Sequence, residues 1–467
     1  MVSITGENKA KRFLYSDLYP ILIFAICFIG WQFKLENVGL VILAICATLI
    51  LCLSDDFTPV LPIALAACFI IPNKPEVAYV EANTVLYAII VPLVLLAVVF
   101  FFIKNKIKVK HGPQFIGLAC LTATYFLGGI FFDFNSWTQG VLTTLGFAGV
   151  CIVLYLMLSN GIKRIDKVYF AKIFMYAGIL LAFETFAYFI CSDKSFEYII
   201  QQKTLHVGWG LSNIIGASLL MTIPLTIYLA YKDKKYVAIA AVAFLIQLVT
   251  LVFTLSRAAI IPAILGLIAL FVYSGINVKH KEPFFIAFGA VFAILCVVAT
   301  FFVDKVALIW EKIAVFEVTS EGVSILDTGR WEIYEKAIQD FLLSPVYGVG
   351  AAFRFSSDGF NTYWYHNSFL QFLVNGGVIG LLGYLAHLFF KFKMFFVRKA
   401  DKMNVFILIG LLMWELFGMM DCNYTVYSEL IMMVVLLVFA EKNLPDNYDN
   451  YAIFRRKKQK IRIEENK

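Results

Sequence analysis

Residues 84–103 read TVLYAIIVPLVLLAVVFFFI, twenty residues without a charge. As an α-helix, a run of this length covers the ~30 Å hydrocarbon core of a bilayer. The rest of the chain has the same character, because 61% of its 467 residues are hydrophobic and only 15% are charged. Soluble domains average about 45–50% hydrophobic and about 25% charged residues. The sequence therefore predicts an all-α, polytopic integral membrane protein and excludes a water-soluble globule.

About fourteen transmembrane helices are predicted, because that many apolar stretches reach the ~17–25 residues that a span requires. They lie near residues 17–33, 38–54, 57–73, 84–103, 114–132, 138–159, 168–191, 210–230, 236–254, 258–276, 284–303, 367–390, 404–420 and 426–440. Lysine and arginine concentrate in every second connection and in the C-terminal tail. The positive-inside rule then places both termini in the cytoplasm, in a multi-pass protein of the cytoplasmic (inner) membrane.

The net charge of +7 bears on possible partners. The charges sit in short loops and in the tail, where they suit the lipid surface rather than nucleic acid, for which no motif is present. The nine cysteines show no CxxC pair, and no DxD-like carboxylate cluster lies in the outward connections. Metal or redox chemistry is therefore not expected, and neither a metal nor a cofactor is predicted.

One connection, residues 304–365, is far longer than the others and is predicted to lie outside. Its start, Asp304–Phe316, has the apolar spacing of an amphipathic helix at the membrane interface. A mobile stretch is expected at 319–324. A second short helix is predicted over Asp327–Leu342, ended by Pro345. Loops of this length are usually functional or disordered, so the outer face is where we expect the chemistry.

Three residues on this outer side could act together. Arg257 lies in a short turn between two spans, where the charge rule disfavours it, and Arg330 lies in the first turn of the second loop helix. A cation there is repelled by the positive end of the helix dipole unless an anion binds between the two. His366 opens the twelfth span and can take a proton near neutral pH. Singly, each has a plain alternative: a snorkelling arginine, a solvated surface charge and a hydrogen-bonded interfacial histidine.

Several motifs in this half of the chain occur in a specific order. They are Gly210–Asn213 (GLSN), Leu255–Ala259 (LSRAA), Gly329–Tyr334 (GRWEIY), Ser344–Gly350 (SPVYGVG) and His366–Leu382 (HNSFLQFLVNGGVIGLL). In this order and spacing they resemble the superfamily of O-antigen ligases and Wzy-type polysaccharide polymerases. The similarity covers roughly residues 205–390.

The resemblance implies a GT-C-like glycosyltransferase fold and metal-independent transfer from a polyprenyl-pyrophosphate-linked glycan. It assigns Arg257 and Arg330 to the pyrophosphate and His366 to the base that activates the acceptor hydroxyl. The candidate substrate-binding residues are Asn213, in the glycine- and asparagine-containing segment, Asn367, beside the histidine, and Arg354. Arg354 belongs to an aromatic run that either stacks on sugars or lies at the membrane interface, and we favour the interface.

Physical chemistry supports these roles independently of the resemblance. Guanidinium groups stay charged at any working pH and bind phosphate oxygens bidentately, at about 1.5–3 kcal/mol per charged hydrogen bond.

The expected division of the chain is an N-terminal transmembrane scaffold at 1–204, a catalytic region at 205–390 that includes the outer loop, C-terminal transmembrane helices at 391–440 and a basic cytoplasmic tail at 441–467.

Two questions stay open at this point. A transporter or flippase for polysaccharide or lipid-linked oligosaccharide is the alternative function, with Glu184 and Glu415 as ionisable groups inside spans. The large outer loop favours the enzyme. Within that class, a polymerase uses a lipid-linked glycan as acceptor, whereas a ligase transfers the glycan to a different acceptor. We lean towards polymerase, because no acceptor-specific domain is visible.

Overall fold

The computed structural model describes residues 9–72, 83–134, 137–138, 140–141, 149–314, 316–319, 322–325, 329–351, 353, 365–396 and 401–445. Nearly all regular structure in these ranges is helical. The described α-helices are α1 (Lys9–Leu14), α2 (Leu18–Gln32), α3 (Glu36–Leu53), α4 (Leu61–Phe69), α5 (Thr84–Lys104), α6 (Gln114–Leu127), α7 (Val150–Gly161), α8 (Lys167–Cys191), α9 (Phe196–Gln202), α10 (Ser212–Lys232), α11 (Val237–Phe253), α12 (Arg257–Asn277), α13 (Lys281–Phe301), α14 (Val303–Ile313), α15 (Arg330–Leu343), α16 (Ser368–Lys393), α17 (Met403–Gly418) and α18 (Tyr427–Lys442). Short 3-10 turns, Thr58–Val60 and Lys234–Tyr236, precede α4 and α11.

The prediction of a polytopic α-helical membrane protein is confirmed. Among the described residues, eight helices are long and apolar enough to cross a membrane: α3, α5, α8, α10, α11 (with its 3-10 turn), α12, α13 and α16. The other predicted spans coincide with shorter helices, and the one at 138–159 is described as a continuous helix only from Val150. The count of fourteen transmembrane helices stays a prediction.

Helix α10 forms the centre of the bundle, with 94% of its apolar segment buried. Small and hydroxylated side chains such as Gly216, Ser218 and Thr222 let neighbouring helices approach it closely. From α11, the Gln247 amide donates to the Thr226 hydroxyl at 3.0 Å. By contrast, α5 and α13 have only 17% of their apolar segments buried. Their outward faces are apolar and match lipid rather than water.

The long connection contains the two predicted amphipathic helices, α14 and α15. Between them lies an antiparallel hairpin of β1 (Phe316–Thr319) and β2 (Gly322–Ile325), with Phe316 opposite Ile325. The described residues of the stretch at 319–324, Thr319 and 322–324, belong to this hairpin, and their mobility stays a prediction. Apolar residues alternate with polar or small ones in both strands, and this period-2 pattern favours strand formation.

Helix α16 is kinked at Gly377, whose φ of 63° and ψ of −158° lie outside the helical region. A side chain there would meet the Val346 carbonyl, since a Cβ would lie 2.3 Å from its oxygen. The kink frees backbone N–H groups, and Val378 donates to Pro345 O at 2.9 Å. The loop that follows α15 is thereby fixed to the kink, which places α15 beside the start of α16.

Candidate functional site

A polar pocket of about 430 Å³ lies at one end of the bundle, where several helix termini meet. Its lining residues come from the connections before α10, α12 and α16, from the first turns of α10, α12 and α15, and from the last turn of α14. They are Lys203, Asn213, Leu255, Arg257, Ala258, Lys312, Arg330, Ile333 and His366. The pocket therefore brings together the three predicted catalytic residues and one predicted substrate-binding residue, Asn213.

Both predicted arginines are the first residue of a helix: Arg257 begins α12 and Arg330 begins α15. Each arginine therefore stands at the positive end of a helix dipole, where the first backbone N–H groups have no partner within the helix. The Nε of Arg257 donates to the carbonyl of Lys312 at 3.1 Å. This hydrogen bond orients the guanidinium through Nε and leaves its terminal nitrogens available to an anion. The arrangement suits a ligand with several phosphate oxygens.

Two lysines enlarge the positive charge of the pocket, and neither was a candidate from the sequence. Lys312 lies in the last turn of the amphipathic helix α14, and Lys203 follows the short helix α9. Lys203 is exposed, yet partial loss of hydration lowers the pKa of its amine. The nearby Asp421 opposes that change, whereas Arg330 and Arg257 add to it. The pocket thus holds four basic side chains, and two of them, Arg330 and Arg257, disfavour the charge of Lys203.

His366 is paired with an acidic residue from the connection between α17 and α18. The Nδ1 of His366 lies 3.0 Å from Oδ1 of Asp421. Burial favours the neutral acid, but hydrogen bonds from His366, Asn213 and the Cys422 backbone hold the pKa of Asp421 below its usual value. Asp421 is therefore a carboxylate at neutral pH and can only accept, so Nδ1 carries the proton. In the neutral ring the lone pair is then on Nε2, as a general base requires.

The backbone around the pocket is strained at three of its lining residues. Lys203, Leu255 and His366 have φ angles of 49°, 52° and 48°. Residues other than glycine disfavour this left-handed region, at a cost of about 1–3 kcal/mol each. Such residues persist where the surrounding packing determines them, and they concentrate at functional sites. The strain supports the view that these side chains are held in defined positions.

Of the other two predicted substrate-binding residues, Asn367 is described and is not among the residues that line the pocket. Asn367 caps α16, because its Oδ1 accepts from the Leu370 N–H at 3.1 Å. Its Nδ2 donates to the Met419 carbonyl at 3.0 Å, which ties α16 to the connection carrying Asp421. These contacts give Asn367 a structural role beside His366. Arg354 and its aromatic neighbours 355, 360, 363 and 364 lie outside the described residues.

The segment that carries Asp421 is held firmly by its neighbours. The N–H of Asn423 donates to the Ser368 hydroxyl at 3.0 Å, and the hydroxyl of Tyr125 donates to the carbonyl of Tyr424 at 3.1 Å. Asn423 and Tyr424 are fully enclosed by the bundle. These contacts fix the loop to α16 and α6. Asp421 is therefore presented to His366 by a rigid support.

Beneath this loop lies a buried ion pair between Lys391 of α16 and Glu415 of α17. The hydroxyls of Tyr424 and Tyr384 both donate to the Glu415 carboxylate, at 2.5 Å and 3.0 Å. The predicted span at 367–390 would leave Lys391 in the loop that follows, and this is wrong: Lys391 lies within α16 and its side chain is fully buried. The long side chain extends back into the bundle to reach Glu415. A lysine just after an apolar run is hard to assign from sequence for this reason.

We expect Lys391→Met to destabilise the folded protein by about 3–5 kcal/mol, because it leaves the carboxylate of Glu415 buried without a counter-charge. The measurement is the unfolding free energy in mixed micelles, titrated with SDS. Lys393→Met is the matched control, since Lys393 is exposed at the end of the same helix. Equal stability of the two variants would contradict the ion pair.

One known family matches part of this chain. Residues 242–385 match the family model described as O-antigen ligase, which confirms the superfamily resemblance and includes Arg257, Arg330 and His366. Lys203, Asn213 and Asp421 lie outside the matched range. No curated protein and no solved structure matches the chain, and the GT-C-like arrangement stays a prediction. Among the described residues, no group of three or more His, Cys, Asp and Glu residues could hold a metal ion.

Proposed function

We propose that this chain, whose residues 242–385 carry an O-antigen ligase domain, is a glycosyltransferase of the cytoplasmic membrane. It transfers glycan from a polyprenyl-pyrophosphate-linked donor to an acceptor hydroxyl at the outer face, for surface polysaccharide biosynthesis. The observation that carries the proposal is that Arg257, Arg330 and His366 line one pocket although they are distant in sequence. The cations of such a pocket suit a diphosphate leaving group, and the base suits a hydroxyl nucleophile.

In the proposed reaction, Nε2 of His366 removes the proton from the acceptor hydroxyl as its oxygen attacks the anomeric carbon of the donor. The new glycosidic C–O bond forms while the C–O bond to the phosphate breaks. Its electron pair leaves with the polyprenyl diphosphate. Asp421 stabilises the imidazolium that results, because its carboxylate accepts the hydrogen bond from Nδ1.

The cations act on the leaving group. As the glycosyl bond breaks, the diphosphate gains one negative charge, so interactions with Arg257 and Arg330 strengthen towards the transition state. The positive ends of α12 and α15 add to this stabilisation. We propose that these fixed charges serve in place of a divalent ion, and transfer in the presence of EDTA tests that part.

The test of the function is transfer by the purified chain in proteoliposomes supplied with a polyprenyl-diphosphate oligosaccharide. Release of polyprenyl diphosphate together with a lengthened glycan would support transfer. Products that grow by whole repeat units on lipid would identify a polymerase, whereas glycan appearing on a different added acceptor would identify a ligase. Donor consumption equal to that of empty liposomes would overturn the proposal.

The orientation of the pocket gives a separate prediction. Cysteines replacing Arg257, Arg330 or His366, in a background without the native nine, should react with an impermeant thiol reagent in intact right-side-out cells. Cysteines replacing Lys106 or Lys234 should react only after the membrane is opened, because the positive-inside rule places them in the cytoplasm. Labelling at position 106 without labelling at 330 in intact cells would invert the orientation and remove the outer-face assignment.

A further inference from the structure

We propose that Lys203 is a further phosphate-binding residue, and that Asn213 and Asp421 connect it to His366, so that binding of the diphosphate and orientation of the base are coupled. This inference rests on the proposed function and adds a residue outside the matched family range. It is carried by a continuous chain of hydrogen bonds along one side of the pocket.

The chain begins at the amine of Lys203, which donates to Oδ1 of Asn213 at 3.2 Å. Nδ2 of Asn213 donates to Oδ2 of Asp421 at 2.5 Å, and the other oxygen of that carboxylate faces Nδ1 of His366 at 3.0 Å. Four side chains from separate parts of the sequence thus form one line, from a cation to the base.

The chemistry of these groups gives the line a single direction. An ammonium can only donate and a carboxylate can only accept, so the amide of Asn213 between them has one satisfactory orientation. Its oxygen must face Lys203 and its nitrogen must face Asp421. The amide then holds Oδ2 of Asp421 and leaves Oδ1 to accept from His366. Displacement of Lys203 takes away the donor to Oδ1 of Asn213, so the amide is then held at Asp421 alone and the carboxylate that orients His366 is held less firmly.

The position of Lys203 is also unusual for a lysine. It is the C-cap of α9 in the left-handed region, where its N–H donates to the carbonyls of Ile199 and Ile200. Glycine is the common residue at such helix ends, because a side chain is strained there. Ile199 and Ile200 are buried, so the helix end itself is anchored. A strained lysine on an anchored helix end, directed to a pocket with two arginines, is consistent with a role that needs the cation.

The charged state of Lys203 makes the role testable. Loss of hydration is the largest effect and lowers the pKa of its amine. Asp421 raises that pKa, whereas Arg330 and Arg257 lower it further. Lys203 therefore loses its proton at a lower pH than an ordinary lysine, and a diphosphate between the cations favours the protonated form. The charged or titratable groups facing it across the pocket are Asp421, Arg257, Arg330, Lys312 and His366.

The experiment measures binding of geranylgeranyl diphosphate to the purified full-length protein as a function of pH. We expect Lys203→Met to bind about tenfold more weakly at neutral pH, since about 1.4 kcal/mol corresponds to that factor. Lys203→Arg should bind as the wild type does near neutral pH and keep its affinity at alkaline pH, where the wild type weakens. The control is Lys305→Met, since Lys305 is ion-paired with Glu197 outside the polar pocket.

Equal affinities of wild type and Lys203→Met, or identical alkaline limbs for wild type and Lys203→Arg, would overturn the role of Lys203. The binding readout does not depend on glycan transfer, so failure of transfer in the wild type would refute the proposed function alone.

The coupling between Lys203 and His366 is tested by turnover. Asn213→Leu should lower kcat with little change in the donor KM. In the double variant with Lys203→Met, the two reductions in kcat should not multiply. Independent, multiplicative effects would contradict the connection through Asn213.

Discussion

Replacing His366 with alanine is expected to lower the rate of glycan transfer by ~10² to 10⁴-fold, the usual contribution of a positioned general base. Donor binding should stay near that of the wild type, because the cations of the pocket are unchanged. The measurement is single-turnover transfer in proteoliposomes, normalised to folded protein, with binding of the donor measured separately. A histidine that only packs would behave differently, with protein yield lost and turnover per folded molecule retained.

His280→Ala is the matched control, because His280 lies past the far end of α12 and contacts the Ala230 carbonyl there at 2.7 Å. It should transfer glycan normally. Asp421→Asn gives a finer test of the base. The asparagine amide has one accepting oxygen and no charge, so it cannot accept from both Asn213 and His366 as the carboxylate does, and it stabilises the imidazolium less. Turnover should therefore fall without loss of donor binding. Normal turnover of His366→Ala would remove the catalytic role of this residue.

The second large effect concerns the arginines. Arg257→Lys and Arg330→Lys should each lower turnover by about 10–100-fold, because lysine keeps the charge but loses the planar pair of donors that grips phosphate. A snorkelling arginine would accept lysine almost without cost, since both side chains reach the same depth. The assay is formation of polymer or ligated product from a purified polyprenyl-diphosphate glycan, with EDTA present.

The matched control is a substitution at Arg164, which does not line the pocket. Its guanidinium lies 4.6 Å from the ring centre of Tyr15. Arg164→Lys should leave turnover unchanged even if it lowers stability slightly. Near wild-type turnover in both pocket variants would eliminate the phosphate clamp, and with it the main physical reason for assigning glycosyl transfer.

Hydropathy predicted most of the bundle, because long apolar runs have few alternatives to a membrane helix. The pocket was predicted only in part. Arg257, Arg330 and His366 stand in short motifs at the ends of elements, so their positions could be derived from local sequence. Lys203 and Asp421 could not be placed, because their role depends on which connections meet when α9, α10 and α17 pack together.

A signal for Asp421 was nevertheless present in the sequence. It follows the apolar run at 404–420, on the side that the charge rule assigns to the outside, as His366 does. Pairing acidic and basic residues that flank outward span ends would have made it a candidate partner. The two acidic residues proposed for the transporter alternative, Glu184 and Glu415, have partners within the bundle: Trp209 donates to Glu184 at 2.6 Å, and Lys391 pairs with Glu415. Such satisfied carboxylates fit helix packing.

The most direct test of the central claim is a cryo-EM structure of the purified protein with bound geranylgeranyl diphosphate. The account predicts density for both phosphates in the pocket, within hydrogen-bond distance of the guanidinium groups of Arg257 and Arg330. Nε2 of His366 should face the space where a glycan hydroxyl would approach. A diphosphate bound elsewhere on the protein, with this pocket empty at saturating ligand, would contradict the account.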